Sequence, residues 1–195
     1  MSKIFLIAIL LFLFSAPSIA QNTVEWNENY KLLLSDFQSK GTLIGNTQIN
    51  SIHTASGLDF SIQMTNIEFM FTKNFNSKVN STFKRDAASI ISTDSITAKH
   101  LLDFAQYEFD LSELYARKLR RDLYINKGTF SDISFLQPLY DVIQKEYIVE
   151  HDIASNKSNL GQNEKMIKEL DADVLKKIQE LSDFCKNCKP PKKKK

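Results

Sequence analysis

From Leu58 to Met64 the chain reads LDFSIQM, so that Leu58, Phe60, Ile62 and Met64 alternate with more polar neighbours. A period of two puts all four side chains on one face of a strand. The alternation resumes at Ile67, Phe69 and Phe71 after the turn-like pair Thr65-Asn66, which predicts a second strand paired with the first. Gly57 breaks the run from Ile49 to Ser56 and marks a turn or bulge. Val24 to Trp26 reads as a short strand and Tyr30 to Phe37 as an ordered entry segment, whereas residues 74–92 are polar and read as irregular.

Beyond Thr93 the period lengthens. One helix is predicted from Ser95 to about Tyr124, with Thr93, Asp94 and Ser95 as cap candidates and Gly128 as its stop. A second is predicted from Ser131 to Ile153, bent or delayed by Pro138. A loop at Ser155 to Asn163 separates it from a third, in which Met166, Ile167, Leu170, Val174, Ile178 and Leu181 recur at helical spacing. Strands first and helices second predict an α+β fold: a small antiparallel sheet of three or four strands followed by about three helices.

The ends change this picture. Lys3 precedes an unbroken apolar run from Ile4 to Phe14, and Ser18 and Ala20 form a small-x-small signature. This is the pattern of a signal peptide, with cleavage expected between Ala20 and Gln21 and export to the periplasm or the exterior. The run is shorter than the ~20 apolar residues of a spanning helix, and no later segment is apolar enough to span, so no stable membrane span is expected after cleavage. Residues 21–184 are read as one domain and 185–195 as a disordered lysine-rich tail. The formal net charge is +2, yet six of the last ten residues are lysine, so the body is mildly acidic and the tail sets the isoelectric point. Such a tail has the charge to touch acidic lipid or polyanions; a solvated end is the simpler reading. No basic stripe interleaves with aromatics, so nucleic acid is not an expected partner.

Only two cysteines occur, Cys185 and Cys188, spaced C-x-x-C after the third helix. A redox motif belongs at a helix N-terminus within a βαβ pattern and a zinc site needs a second pair, so the plainer reading is a candidate short-loop disulfide of an exported protein or two free thiols. The five glycines do not cluster into a phosphate loop, and no nucleophile elbow is present. Along the central helix, Glu113 and Arg117 read as an i,i+4 surface pair.

The wording of that helix is specific. AKHLLDFAQYEFDLSELYARKLRRDL resembles a bacterial family of predicted secreted zinc-dependent proteases, through Leu101, Leu102, Gln106, Phe109, Asp110, Glu113, Ala116, Arg117, Leu119 and Arg120. VEWNENYKLLLSDFQSK and IHTASGLDFSI echo the family's opening and a later T-x-S-G segment. The resemblance implies a zincin-like scaffold, in which two His of H-E-x-x-H bind Zn²⁺ and the Glu between them activates water. Here Phe104 stands at the first His, Ala105 at the Glu and Glu108 at the second His. The family's third ligand falls in the HDIASNKS segment, at Lys157. A register shift brings His151 toward the site, and His100 shares a helix face with Glu108. A phenyl ring cannot ligate zinc and a methyl group cannot take a proton, so no metal, no cofactor and no catalytic residue is expected. Lys157 is expected to approach Glu108 where the cation would lie, with Phe104 filling the remainder; a loop pointing away is the competing reading. The sequence thus reads as an exported, non-catalytic zincin-like protein with an unknown peptide, protein or envelope partner. An active metallopeptidase with non-standard ligands and a structural envelope accessory remain as alternatives.

Overall fold

The computed structural model describes residues 22–60, 64–128 and 132–192. The expected leader with its Ala20–Gln21 boundary, Ile62 of the expected strand, the Ser131 start of the second helix and the last three lysines lie outside the described residues. The fold is α+β. The strands are β1 (Thr23–Glu25), β2 (Leu43–Ile44), β3 (Ser51–His53), β4 (Ser56–Phe60), β5 (Val79–Lys84) and β6 (Ser89–Ser92). The helices are α1 (Asn66–Phe71), α2 (Ser95–Asn126), α3 (Leu136–Ser158) and α4 (Glu164–Glu180).

The strands form two three-stranded sheets rather than the single antiparallel sheet expected. In one, β5 lies between β1 and β4 and is antiparallel to both. In the other, β6 lies between β3, antiparallel, and β2, parallel. Both central strands come from residues 74–92, which read as irregular. For β5 the reason is burial on both faces: Val79, Ser81, Thr82 and Phe83 are all buried, which erases the period-two signal. Ser81 is small because α2 passes close above it, with the Ser81 and Ser112 hydroxyl oxygens 2.5 Å apart.

Residues 66–71, expected as a strand, form α1. The Thr65 backbone N–H donates to Glu68 Oε2 and the Glu68 N–H donates to Thr65 Oγ1, both at 3.2 Å. This reciprocal capping box outweighs the alternation. Phe69 alone enters the core, against Phe75 and Phe135, while Ile67, Met70 and Phe71 stay exposed.

Helix α2, 32 residues long, is the axis of the molecule. Asp94 is its N-cap, accepting the Thr97 N–H at 2.8 Å. Both faces are buried. Ala98, Leu101, Ala105 and Phe109 pack with Leu32, Phe37, Phe83 and Ile90 on the strand side. Phe104, Tyr107, Leu111 and Leu114 pack with Ile143, Ala154, Ile167 and Val174 from α3 and α4. From Tyr107 to Arg117 every residue is buried, so the middle of the helix is stabilised chiefly by this packing.

Helix α3 begins at Leu136 because Pro138 fits only a first turn, where a missing N–H costs nothing. It continues through Ser155–Ser158, where a loop was expected. The true turn is Asn159–Asn163, with positive φ at Asn159, Leu160 and Gly161. A Cβ on Gly161 would lie 2.1 Å from the His100 carbonyl oxygen, so this turn presses directly on α2. Asn163 then caps α4, accepting the Met166 N–H at 3.2 Å.

The segment after α4 departs from a disordered tail. Cys185 and Cys188 are disulfide-bonded. The Cys188 carbonyl accepts the Asn74 and Asn76 side-chain amides, each at 3.1 Å, and Lys186 pairs with Glu25 at 2.5 Å. The Tyr124 hydroxyl donates to the Pro191 carbonyl. The chain is thereby held to the body as far as Pro191.

Candidate functional site

The positions that the family resemblance assigns to metal chemistry divide between two sides of α2. Phe104 and Glu108, one helical turn apart, face α3, whereas Ala105 lies in the strand-side core. Glu108 is 5% exposed. Its partner is not Lys157 but His151, six residues earlier on α3. His151 Nε2 lies 2.5 Å from Glu108 Oε1 and Nδ1 lies 3.2 Å from Asp152 Oδ1. Lys157 is exposed near the end of α3, and among the described residues it forms no ion pair with Glu108. The expected Lys157–Glu108 pair is therefore replaced, because α3 extends as a helix through residue 158 and turns its inner face, not a flexible loop, toward Glu108.

Phe104 closes the site from one side, its ring centroid 5.9 Å from that of His151 in an edge-on arrangement. Tyr147, one turn before His151, closes another, at 6.4 Å between centroids. The Tyr147 hydroxyl meets Ser56 at the start of β4. Hydrogen bonding to Glu108 raises the His151 pKa above the ordinary imidazole value, against the opposing effect of burial. Burial, reinforced by the Glu108 charge, pushes the Tyr147 phenol up. The site is therefore a carboxylate–imidazole pair walled by two aromatic rings. Each ring nitrogen of His151 lies beside a carboxylate, Nε2 by Glu108 and Nδ1 by Asp152.

His100 does not join this site. Its Nε2 pairs with Glu164 Oε1 at 3.2 Å, and that carboxylate also receives Lys168 at 3.2 Å. Among the described residues, no three His, Cys, Asp or Glu side chains converge as metal ligands would.

Two further polar clusters line α2. Glu113 and Arg117, expected on the surface, are buried. Arg117 Nε and Arg120 Nη1 each donate to Glu113 Oε1 at 2.9 Å. Arg120 also donates to the Val79 and Phe184 carbonyls, and Arg117 to that of Ile178. Trp26 stacks with the Arg117 guanidinium, 5.5 Å from the ring centroid, and its indole N–H donates to Asp110 Oδ1 at 2.6 Å. Trp26, Asn80, Arg117, Gln179 and the disulfide line a cleft of about 390 Å³. Behind Trp26, Asp110 also accepts Gln106 at 2.9 Å and faces Asp171. Burial and the Asp110 charge push the Asp171 carboxyl up to about 7.

Comparison with family models, with curated proteins and with solved structures returns no match to this chain.

The sequence reading named Phe104 and Glu108 but set His151 aside and missed Tyr147. Leu136, Tyr140, Ile143, Tyr147, His151, Ala154 and Ser158 recur at three- and four-residue steps along one face of α3. That spacing placed Tyr147 and His151 on the core side, and it was obscured because the helix was ended five residues early.

Proposed function

We propose that this chain is an exported, non-catalytic zincin-like protein whose role is to bind a peptide, protein or envelope partner. The observation that carries the reading is the chemistry of the three positions around Glu108. Phe104 offers a ring where a ligand is needed, Ala105 faces the other side of the helix, and His151 is bonded through both nitrogens to carboxylates. Glu108 and His151 together are two groups, where a catalytic zinc site uses three protein ligands and a water. They pair with each other where the resemblance would put a cation. The surface retained for binding is the cleft beside Trp26, where an aromatic ring, a guanidinium and the Asn80 amide converge.

The test is metal analysis of the purified chain after exposure to zinc and dialysis, together with hydrolysis of a denatured protein substrate. We expect far less than one zinc per chain and no hydrolysis above the buffer rate. Stoichiometric zinc that is lost in His151→Ala would instead establish an active metallopeptidase with non-standard ligands.

A further inference from the structure

A second surface lies where the C-terminal end of α2 meets α1 and the segment after α4. Helix α1 turns Phe69 into the core and leaves Ile67, Met70 and Phe71 outside, spaced i, i+3, i+4 on one face. Phe71 is 74% exposed and Ile67 69% exposed. Large side chains presented together in this way mark an interaction surface rather than a stray apolar residue. Met70 and Phe71 border an open groove that continues over Tyr124, Pro190 and Pro191. Its charged lining is of one sign: Lys73, Lys127, Lys189 and Lys192, with no Asp or Glu. Lys127 Nζ donates to the Met70 carbonyl at 3.0 Å, which sets that cation beside the exposed apolar residues. Three further lysines follow in the sequence at 193–195.

We infer that this face docks on an anionic lipid bilayer, with Ile67, Met70 and Phe71 entering the interface and the lysines meeting lipid phosphates. Apolar insertion and a polybasic rim are the two signals whose combination gives stable peripheral attachment. Each lysine near an anionic surface strengthens binding roughly fivefold, and salt weakens the attraction. Among the described residues no helix is long and apolar enough to cross a membrane, so the contact lies on the surface. The apolar content of the groove distinguishes this occupant from a soluble polyanion, which would use the lysines alone. The inference is independent of the Glu108 site and survives if the chain proves to be a zinc peptidase.

The test is co-sedimentation of the purified chain with vesicles of phosphatidylcholine alone or with about one-third phosphatidylglycerol. An apolar leader, if retained, binds both vesicles alike, so the difference between them reports this face. We expect at least tenfold stronger binding to the anionic vesicles at low salt, largely lost at about 0.5 M NaCl. Lys73→Glu with Lys189→Glu should abolish the difference, whereas Lys165→Glu with Lys168→Glu on α4, an equal charge change, should leave most of it. Phe71→Ser should weaken anionic binding several-fold while the charge is unchanged. Equal binding to both vesicles, equal loss in the two lysine pairs, or full binding by Phe71→Ser accompanied by capture of an acidic peptide would each overturn the inference.

Discussion

His151 Nε2 and Glu108 Oε1 lie 2.5 Å apart between α3 and α2, beneath the edge of the Phe104 ring. The carboxylate is nearly inaccessible, while the His151 side chain keeps 31% of its surface. The pair adds less than its Coulomb attraction implies because both groups lose water. Removing one partner leaves the other stranded. His151→Ala should therefore cost roughly 1–3 kcal/mol, between the values for exposed and buried pairs. The raised imidazole pKa fixes the pH dependence. Stability from the pair is fully present below the ordinary imidazole pKa near ~6.5 and is lost as pH rises through the higher folded value. Urea midpoints at pH 6, 7.5 and 9 should fall in that order, and Glu108→Gln should flatten the trend.

Asp171 contributes in the same direction for a different reason. Its folded pKa, about 7, exceeds that of an unfolded aspartate because burial and Asp110 disfavour the anion. Between ~4 and ~7 the folded state holds a proton that the unfolded state has released, so stability falls as pH rises across that window. Asp171→Asn supplies a permanent donor in place of the proton. It should raise stability at pH 8 by roughly 1–3 kcal/mol and change little at pH 5. Equal effects at both pH values would show that the carboxyl is not protonated in the fold.

The helical half of this architecture was legible because its periods are long and its caps local: Asp94 and the repeat from Met166 to Ile178 need no tertiary information. The strands were less so. β5 is buried on both faces and carries Ser81 where the close approach of Ser112 requires a small residue, so its composition reflects a neighbour 31 positions away. In α1, a local signal, Thr65 with Glu68, was present but was outvoted by three alternating apolar residues. At the site, Phe104 and Glu108 followed from spacing. Their partner did not, since choosing His151 over Lys157 depends on where α3 ends, and that depends on a turn pressed against His100.

That turn gives a sharper test. Gly161 has a φ of 85°, and an added Cβ would meet the His100 carbonyl oxygen at 2.1 Å and Phe104 Cβ at 3.2 Å. Gly45 has nearly the same backbone, φ 82°, with nothing within 4 Å. Gly45→Ala should show the left-handed penalty alone, about 1 kcal/mol. Gly161→Ala adds a backbone clash and should cost at least ~2 kcal/mol more. Because the turn rests on Phe104, it should also shift the His151 titration in an NMR pH series, which Gly45→Ala should not.

The Glu113, Arg117 and Arg120 cluster allows an ordered prediction. Two guanidiniums share one carboxylate inside the protein, and the surplus charge is held by backbone carbonyls: Val79 and Phe184 by Arg120, Ile178 by Arg117. Arg120 is 1% exposed and ties α2 to β5 and to the segment after α4. Arg120→Met would leave the Val79 and Phe184 carbonyls without it and Glu113 with a single partner, costing about 3–5 kcal/mol. Arg117→Met leaves the Arg120–Glu113 pair intact and gives up one carbonyl and the Trp26 stack, for about 1–3 kcal/mol. Glu113→Gln leaves two buried cations with no anion and should match or exceed Arg120→Met. The triple change Glu113→Leu, Arg117→Met, Arg120→Met removes all three charges together and should cost less than the sum of the three single changes. Denaturant unfolding of the four variants checks the order. If Arg117→Met proves the costliest single change, the charge is held mainly at the Trp26 cleft rather than at the junction with β5. Added salt should leave the differences nearly unchanged, since buried pairs are screened far less than surface ones.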